Sequence, residues 1–202
     1  MPVFVLETEG DLQAPLSYWR ARQPDSERVR VWEVAGTSHA DSYLIGAAAP
    51  LMGIDWRINE GPHRYVAQAA LRALVAWVTE GTPPPAARPV ELISTTPLVV
   101  ARDEAGNALG GVRTPAVDVP VARLSGEPPA GIRHPVGWLF GSTADLPPEE
   151  LAHRYGDEAG YVRAFAESLD GAISAGFLLA ENRAELLAAA EAVVFPPVPT
   201  PA

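Results

Sequence analysis

The sequence has 202 residues, of which 48% are hydrophobic and 20% charged, a composition typical of a globular protein with a buried core. Its formal net charge of -10 argues against binding to nucleic acid or to an anionic membrane surface, since both require clustered basic side chains. The absence of cysteine excludes disulfides, thiolate nucleophiles and cysteine-bound zinc.

No targeting or membrane segment is recognisable in the sequence. It lacks a run of about 20 apolar residues, so we expect no membrane span. The first residues have neither the basic region nor the long apolar region of a signal peptide, and a cytoplasmic location is therefore the default expectation.

The first two predicted elements are strands that end in polar loops. Residues 3–6 form a continuous apolar run, typical of a strand buried on both faces of a parallel sheet, and an acidic segment ending at Asp11 follows. Residues 28–34 alternate like a second strand and lead into a loop that contains His39. A domain rarely begins with a buried central strand, so we expect that sequence upstream of this chain is missing.

The rest of the chain predicts helices around a β-rich middle. Gly61 and Pro62 favour a helix start and Gly81 a helix end. The inward apolar stripe predicted between them consists of Val66, Ala70, Leu74, Trp77 and Val78, widened by Leu71. Residues 98–103 and 109–112 flank a turn-rich segment and predict a hairpin. Two further helices are expected after residue 148. We therefore predict an α/β core over residues 1–88, a β-hairpin and helical region over 89–195, and a disordered Pro-rich tail over 196–202.

The two strand ends carry the residues with the clearest chemistry. His39 follows Asp11 by 28 positions, which leaves room for one crossover and one strand. Functional side chains of open α/β sheets lie where parallel strands end, so Asp11 and His39 are expected on adjacent loops. A histidine base needs a carboxylate on one ring nitrogen to fix its tautomer. The order acid, then histidine, is that of α/β hydrolases.

Seven segments of the chain resemble a bacterial α/β-hydrolase-domain family whose members are about twice as long. They are VLETEGD at 5–11, VWEVAGTSHAD at 31–41, NEGPH at 59–63, GTPPP at 81–85, GNALGGVRTP at 106–115, FGST at 140–143 and AGFLL at 175–179. The resemblance implies that this chain is the C-terminal part of a hydrolase sheet, its last two parallel strands and a packing helix, with Asp11 and His39 as catalytic acid and base.

The resemblance also implies a serine nucleophile that this sequence does not show. The family carries it on a Gly-x-Ser-x-Gly elbow in its N-terminal half, and the motif is absent here. The nearest segment ends in Ser174-Ala175-Gly176, but it lacks the first glycine and lies in a helical pattern, whereas an elbow needs a strand, a turn and a helix.

Other readings of the polar and aromatic residues stay open. Glu9 and Glu7 are alternatives to Asp11 as the triad acid. Asp41 could pair with a histidine at a metal, but no third ligand is suitably spaced, so we expect neither a metal nor another cofactor. His63 is expected on the surface of a first helical turn. Trp32 and Trp77 are expected to pack in the core. For Trp56 and Trp138, both core packing and a position in the wall of a substrate pocket remain possible.

Two functions follow from these observations. The first is the C-terminal portion of a serine-type hydrolase of esters or amides, inactive alone because the nucleophile is missing. The second is a non-catalytic interaction or lid module on a remnant hydrolase scaffold. The expected partners are a small ester or amide, and either an N-terminal hydrolase half or a second copy of the chain at an exposed strand edge.

Overall fold

The computed structural model describes residues 1–198. The strands are β1 (Val3–Thr8), β2 (Val29–Val34), β3 (Leu92–Thr95), β4 (Leu98–Val100), β5 (Ala122–Ser125) and β6 (Ser142–Asp145). The helices are α1 (Glu9–Leu12), α2 (Ser42–Ile45), α3 (His63–Glu80), α4 (Pro115–Asp118), α5 (Pro148–Tyr155), α6 (Glu158–Ser174) and α7 (Arg183–Glu191). Of these helices, none is long and apolar enough to cross a bilayer. Of the tail predicted for 196–202, residues 196–198 have no regular secondary structure and the remainder lies outside the described residues.

The two predicted parallel strands are paired in the structure. β1 and β2 lie side by side in parallel, and the short crossover between them contains α1 and one 3-10 turn. On its other side, β2 is bridged in parallel by Val112, whose N–H donates to the Glu33 carbonyl at 2.7 Å. The carboxyl ends of β1 and β2 therefore meet at one edge, as the sequence predicted.

One face of this pair is covered by helices. Trp32 and Val34 of β2 are fully buried there, in a cluster that includes Phe165 and Leu169 of α6 together with residues of α3 and α7. Side chains from both predicted regions, residues 1–88 and 89–195, thus contribute to one hydrophobic core. This shared core fixes the position of the two strand ends relative to the helices.

β1 is an edge strand. The N–H of Val3 donates to the Arg28 carbonyl at 2.7 Å, so the backbone groups of Phe4 and Leu6 point away from β2. No strand within residues 1–198 pairs with that outer side. The sequence predicted burial on both faces, but Val3 is 48% exposed and Val5 is half-buried, because helices cover only one face.

The long helix α3 agrees with its predicted bounds but not with all of its predicted inner stripe. It begins at His63 and ends before Gly81, whose φ of 76° terminates it. Val66 and Trp77 are buried against the core. A second set of apolar residues, on the side of the helix roughly opposite the buried residues, is exposed: Leu71 (64%), Val75 (53%) and Val78 (58%). α3 therefore carries an apolar flank that no described residue covers.

The β-rich middle contains two strand pairs, and neither is the predicted hairpin of residues 98–103 with 109–112. β4 pairs instead with the preceding strand, β3, in antiparallel orientation, while a bridge between Arg102 and Ala108 closes the turn predicted for residues 104–107. The β5–β6 pair was not predicted, because both strands have four residues and are rich in Ser, Thr and charged side chains. It brings Ser125 and Ser142 opposite each other, near the loops that follow β1 and β2.

Candidate active site

The loops after β1 and β2 bring the two predicted site residues into contact. His39 Nδ1 lies 2.7 Å from Asp11 Oδ1. The Asp11 side chain is 8% exposed, whereas that of His39 is 49% exposed. The carboxylate is therefore enclosed while the histidine ring borders solvent. This arrangement leaves the second ring nitrogen, Nε2, as the group that can meet another reactant.

The position of Asp11 follows from a local helix-capping motif. Thr8 is the N-cap of α1, and its N–H and hydroxyl donate to Asp11 Oδ2 at 2.8 and 2.7 Å. The N–H of Asp11 donates back to Thr8 Oγ1 at 3.3 Å, which completes a capping box. Since Oδ2 is occupied by Thr8, Oδ1 is the oxygen directed at His39. The sequence Thr-x-x-Asp thus orients the Asp11 carboxylate through contacts within its own segment.

Glu9, an alternative acid in the sequence, has a different set of partners. It is completely buried, and its carboxylate accepts from the N–H of Gly36 (2.8 Å), the N–H of Gly126 (3.1 Å) and Arg102 Nη2 (2.9 Å). These donors come from the loop after β2, the segment after β5 and the hairpin region. Glu9 therefore joins three parts of the chain behind the Asp11–His39 pair and does not contact His39.

Glu7, the other alternative, faces the opposite side of β1 from the helices. Its burial, with the negative charges of Asp11 and Glu33, raises its pKa to about 7, although the nearby His39 acts in the opposite direction. Glu33 lies opposite it in the strand register and is bound by Arg22 through two hydrogen bonds of 2.7 and 2.6 Å. Within residues 1–198, no cation forms an ion pair with Glu7, which lies close to the Asp11–His39 pair.

The loops that hold Asp11 and His39 pack closely against the backbone of the segment after β5. A Cβ on Gly10 would lie 3.0 Å from the Gly126 carbonyl and 3.3 Å from the His39 nitrogen, and one on Gly126 would lie 2.3 Å from the Gly10 nitrogen. The buried Asn59 amide donates to the carbonyls of Gly36 and Ser125, both at 3.0 Å. The loops that hold Asp11 and His39 are therefore packed against the segment after β5 with no space for side chains between them.

A second histidine–carboxylate pair joins the loop after β2 to the start of α3. His63 Nδ1 is 3.3 Å from Asp41 Oδ2, and the side chains are only 16% and 3% exposed. Burial lowers the pKa of His63, against the opposing effects of the Asp41 and Asp11 charges. From the sequence, His63 was expected on the surface, and no particular histidine was assigned to Asp41. The two lie 22 positions apart, and no spacing rule links a loop aspartate to the first residue of a later helix.

Two serines, the one beside His39 and the one in the segment nearest to an elbow motif, lack the surroundings of a nucleophile. Ser38, next to His39, is completely buried and donates to the Ala40 carbonyl at 2.9 Å. Ser174 is the last residue of α6, with no strand or turn before it. Neither has the exposed position of a nucleophile at a strand-to-helix turn.

The tryptophans divide much as the sequence indicated. Trp32 is completely buried and Trp77 is 7% exposed, consistent with core packing. Of the two left open, Trp56 donates to the Gly141 carbonyl at 2.9 Å, and the Trp138 ring centroid lies 6.1 Å from that of His39. Trp138 thus forms an aromatic wall beside the exposed histidine. Within residues 1–198, no three metal-ligating side chains form a cluster.

Comparison with known proteins gave one result. The sequence pattern of a protein family described as "Alpha/beta hydrolase domain" matches residues 1–188. Neither the curated proteins nor the solved structures contain a match to the chain.

Proposed function

This chain belongs to the alpha/beta hydrolase domain family, and from that membership we propose that it is the C-terminal portion of a serine-type hydrolase. It supplies the acid, Asp11, and the base, His39, for hydrolysis of an ester or amide. The observation that carries the proposal is the 2.7 Å contact between Asp11 Oδ1 and His39 Nδ1. It is the contact that a triad requires between its acid and its histidine.

The roles of the two residues follow from their contacts. Asp11, held by Thr8, accepts the Nδ1 proton of His39, which fixes the tautomer with a free lone pair on Nε2. Nε2 takes the proton from the serine hydroxyl as that oxygen attacks the substrate carbonyl, and Asp11 stabilises the resulting imidazolium. His39 then returns the proton to the leaving alcohol or amine. The oxyanion donors and the serine come from polypeptide outside this chain.

The unpaired side of β1 and the exposed apolar flank of α3 support a sheet that continues into an N-terminal hydrolase half. The outer side of β1 has unpaired backbone groups at Phe4 and Leu6, and α3, which packs over β1, exposes an apolar flank at residues 71–78. A further parallel strand would pair with β1, and polypeptide packed on the outer surface of α3 would cover its apolar flank. We include residues 1–88 in this hydrolase core and treat 89–195 as the family-specific region.

A labelling experiment tests the proposal. A fluorophosphonate probe reacts with activated serines, so it is applied to this chain alone, to an N-terminal half from a full-length family member, and to the two mixed. We expect no labelling of this chain, weak labelling of the added half, and strong labelling of that half in the mixture. His39→Ala should abolish the gain, while His153→Ala, an exposed histidine of α5, should retain it.

Two outcomes would count against the proposal. Labelling of this chain alone that disappears in His39→Ala would reveal a nucleophile within it. A mixture in which native mass spectrometry detects the complex, but labelling does not depend on His39, would remove the catalytic role of the pair.

The alternative, a non-catalytic interaction or lid module, is favoured by one observation. β2 already has a neighbour on each side, β1 and Val112, and the helices of the second region complete its core. Failure of the two halves to associate, together with a stable monomer of this chain, would favour this module over the split hydrolase.

A further inference from the structure

A polar cavity lies beside the site described above, on the side of the β5–β6 pair. It has a volume of about 410 Å³, which is within the usual range for small-molecule sites. Two arginines and two serines contribute to its walls, and the proline-rich loop at residues 127–132 closes one side. We call it the Arg123 cavity, after the residue that distinguishes it.

The two arginines of the cavity differ in their partners. Arg102 donates to Glu9 at 2.9 Å and lies 3.8 Å from Glu127, so its charge is already neutralised. Arg123 lies on β5, and its aliphatic part packs on the turn at Gly106. Within the described residues 1–198, no acidic side chain forms an ion pair with Arg123. The cavity thus contains one guanidinium that is not committed to the protein.

The serines add hydrogen-bonding capacity. Ser125 Oγ accepts from the Glu127 N–H at 3.1 Å, which leaves its hydroxyl proton available to a ligand. Ser142 Oγ donates to the Glu127 carbonyl at 2.8 Å and fixes the start of the loop. A planar guanidinium with a nearby hydroxyl donor matches the two oxygens of a carboxylate.

The cavity and the catalytic pair share structural segments. Gly126, which follows the cavity residue Ser125, donates to Glu9 and packs directly on Gly10 in the Asp11 loop. The loop that closes the cavity continues to Trp138, which lies beside His39. The cavity wall is therefore joined to the loops that hold Asp11 and His39.

We propose that the Arg123 cavity binds a carboxylate group of the substrate, so that the preferred substrates are esters or amides that carry a second, anionic carboxylate. The link to catalysis rests on the proposed function, whereas binding of the carboxylate does not. Arg123 pairs with the carboxylate through its guanidinium, Ser125 donates its hydroxyl, and Glu127 sets an upper limit on affinity because its own negative charge faces the same cavity.

Ligand binding to the full chain tests this proposal without any serine. Monomethyl succinate, which has one ester and one carboxylate, is titrated into the protein and followed by the side-chain N–H signals of the arginines. Dimethyl succinate is the neutral comparison, and inorganic phosphate is the comparison for a non-specific anion site. We expect saturable shifts at Arg123 with monomethyl succinate and none with the neutral diester.

Three variants sharpen the test. Arg123→Gln should weaken binding of monomethyl succinate about tenfold, since it removes a charge-assisted pair. Arg133→Gln makes the same change of charge on the same loop but outside the cavity wall, and it should leave the affinity unchanged. Glu127→Gln should tighten binding, because it removes a like charge.

The results that would overturn the proposal are distinct from those that bear on the triad. Equal affinity of the wild-type and Arg123→Gln proteins, equal binding of the diester, or tighter binding of phosphate than of the carboxylate would each reject a carboxylate site. The fluorophosphonate experiment is independent of these results, since its probe carries no carboxylate.

Discussion

At the scale of single residues, the choice of Asp11 as the partner of His39 depends on a detail that strand patterns do not contain. The sequence left Glu7, Glu9 and Asp11 as candidates, because the end of a strand is uncertain by a residue or two. In the structure Thr8 caps α1 and directs Asp11 at His39, while Glu9 is buried among three donors. The capping box, Thr-x-x-Asp, is the local signal that separates them.

Neutralising Glu9 should destabilise the fold. Glu9→Gln removes a buried charge that accepts from Arg102 and two backbone N–H groups, and we expect a loss of about 2–4 kcal/mol in the free energy of unfolding. Urea denaturation measures it. Glu185→Gln, in an exposed ion pair with Arg64, is the matched control and should cause no measurable change. A loss in the control as large as that in Glu9→Gln would contradict this reading.

Glu7 should make stability depend on pH near neutrality. Because its pKa is raised to about 7 in the folded protein from 4.5, the folded state binds its proton more tightly than the unfolded state. This stabilising contribution is complete below pH 4.5 and is lost as the pH rises through 7. The free energy of unfolding of Glu7→Gln should therefore exceed that of wild type by about 1 kcal/mol at pH 8 and by little at pH 5. The difference at pH 8 is reduced by solvent screening, because Glu7 is only partly buried.

Unfolding free energies of both proteins at the two pH values check this prediction. Glu104→Gln, in the exposed turn of the predicted hairpin, is the control for loss of one negative charge. A difference between wild type and Glu7→Gln that is the same at pH 5 and pH 8 would show that Glu7 does not titrate in this range.

At the scale of elements, the sequence predicts what depends on apolar periodicity and misses what depends on long-range packing. The two strands and α3 follow from their patterns, and so does the helix around Phe165. The β5–β6 pair and the His63–Asp41 contact do not, because each depends on chain segments brought together by the tertiary fold. Leu71 and Val78, which lie on the exposed flank of α3, were predicted to belong to its inner stripe, since periodicity identifies an apolar side without identifying its partner.

The contact between two site-supporting segments gives a prediction at this scale. Gly126→Ala places a methyl group 2.3 Å from the Gly10 nitrogen, so the backbone must move, and we expect both a loss of stability and a displaced His39. Gly171→Ala, within α6 and with nothing within 4 Å, should instead stabilise by about 1 kcal/mol through helix propensity. Thermal unfolding and the His39 ring signals in NMR spectra measure the two effects. A stable Gly126→Ala protein with unchanged His39 signals would refute the packing argument.

At the scale of the whole molecule, the apolar edge of β1 is the feature from which we predict the association state of the isolated chain. Its outer backbone groups are unpaired, and the exposed flank of α3 is apolar. The sequence alone identified this strand and its risk, but the helix flank required the structure. Such an edge is a template for pairing with another strand.

We expect the isolated chain to self-associate through β1. Sedimentation velocity should show mass increasing with concentration, and Val3→Lys should reduce the effect by placing a charge on the edge strand. Ile93→Lys, at a position that is 73% exposed on β3, is the matched control and should leave association unchanged. A monomer at high concentration would contradict the prediction.

The contact of Gly10 with Gly126 also bears on how such sequences diverge. A side chain at Gly126 would meet the Gly10 backbone, and one at Gly10 would meet the Gly126 carbonyl together with the backbone of Ser38 and His39. A substitution at either glycine is therefore tolerated only when a facing loop changes its path or length. Among descendants of a common ancestor, insertions after β5 should arise together with changes in the Asp11 loop, so that two segments far apart in the sequence change at the same pace.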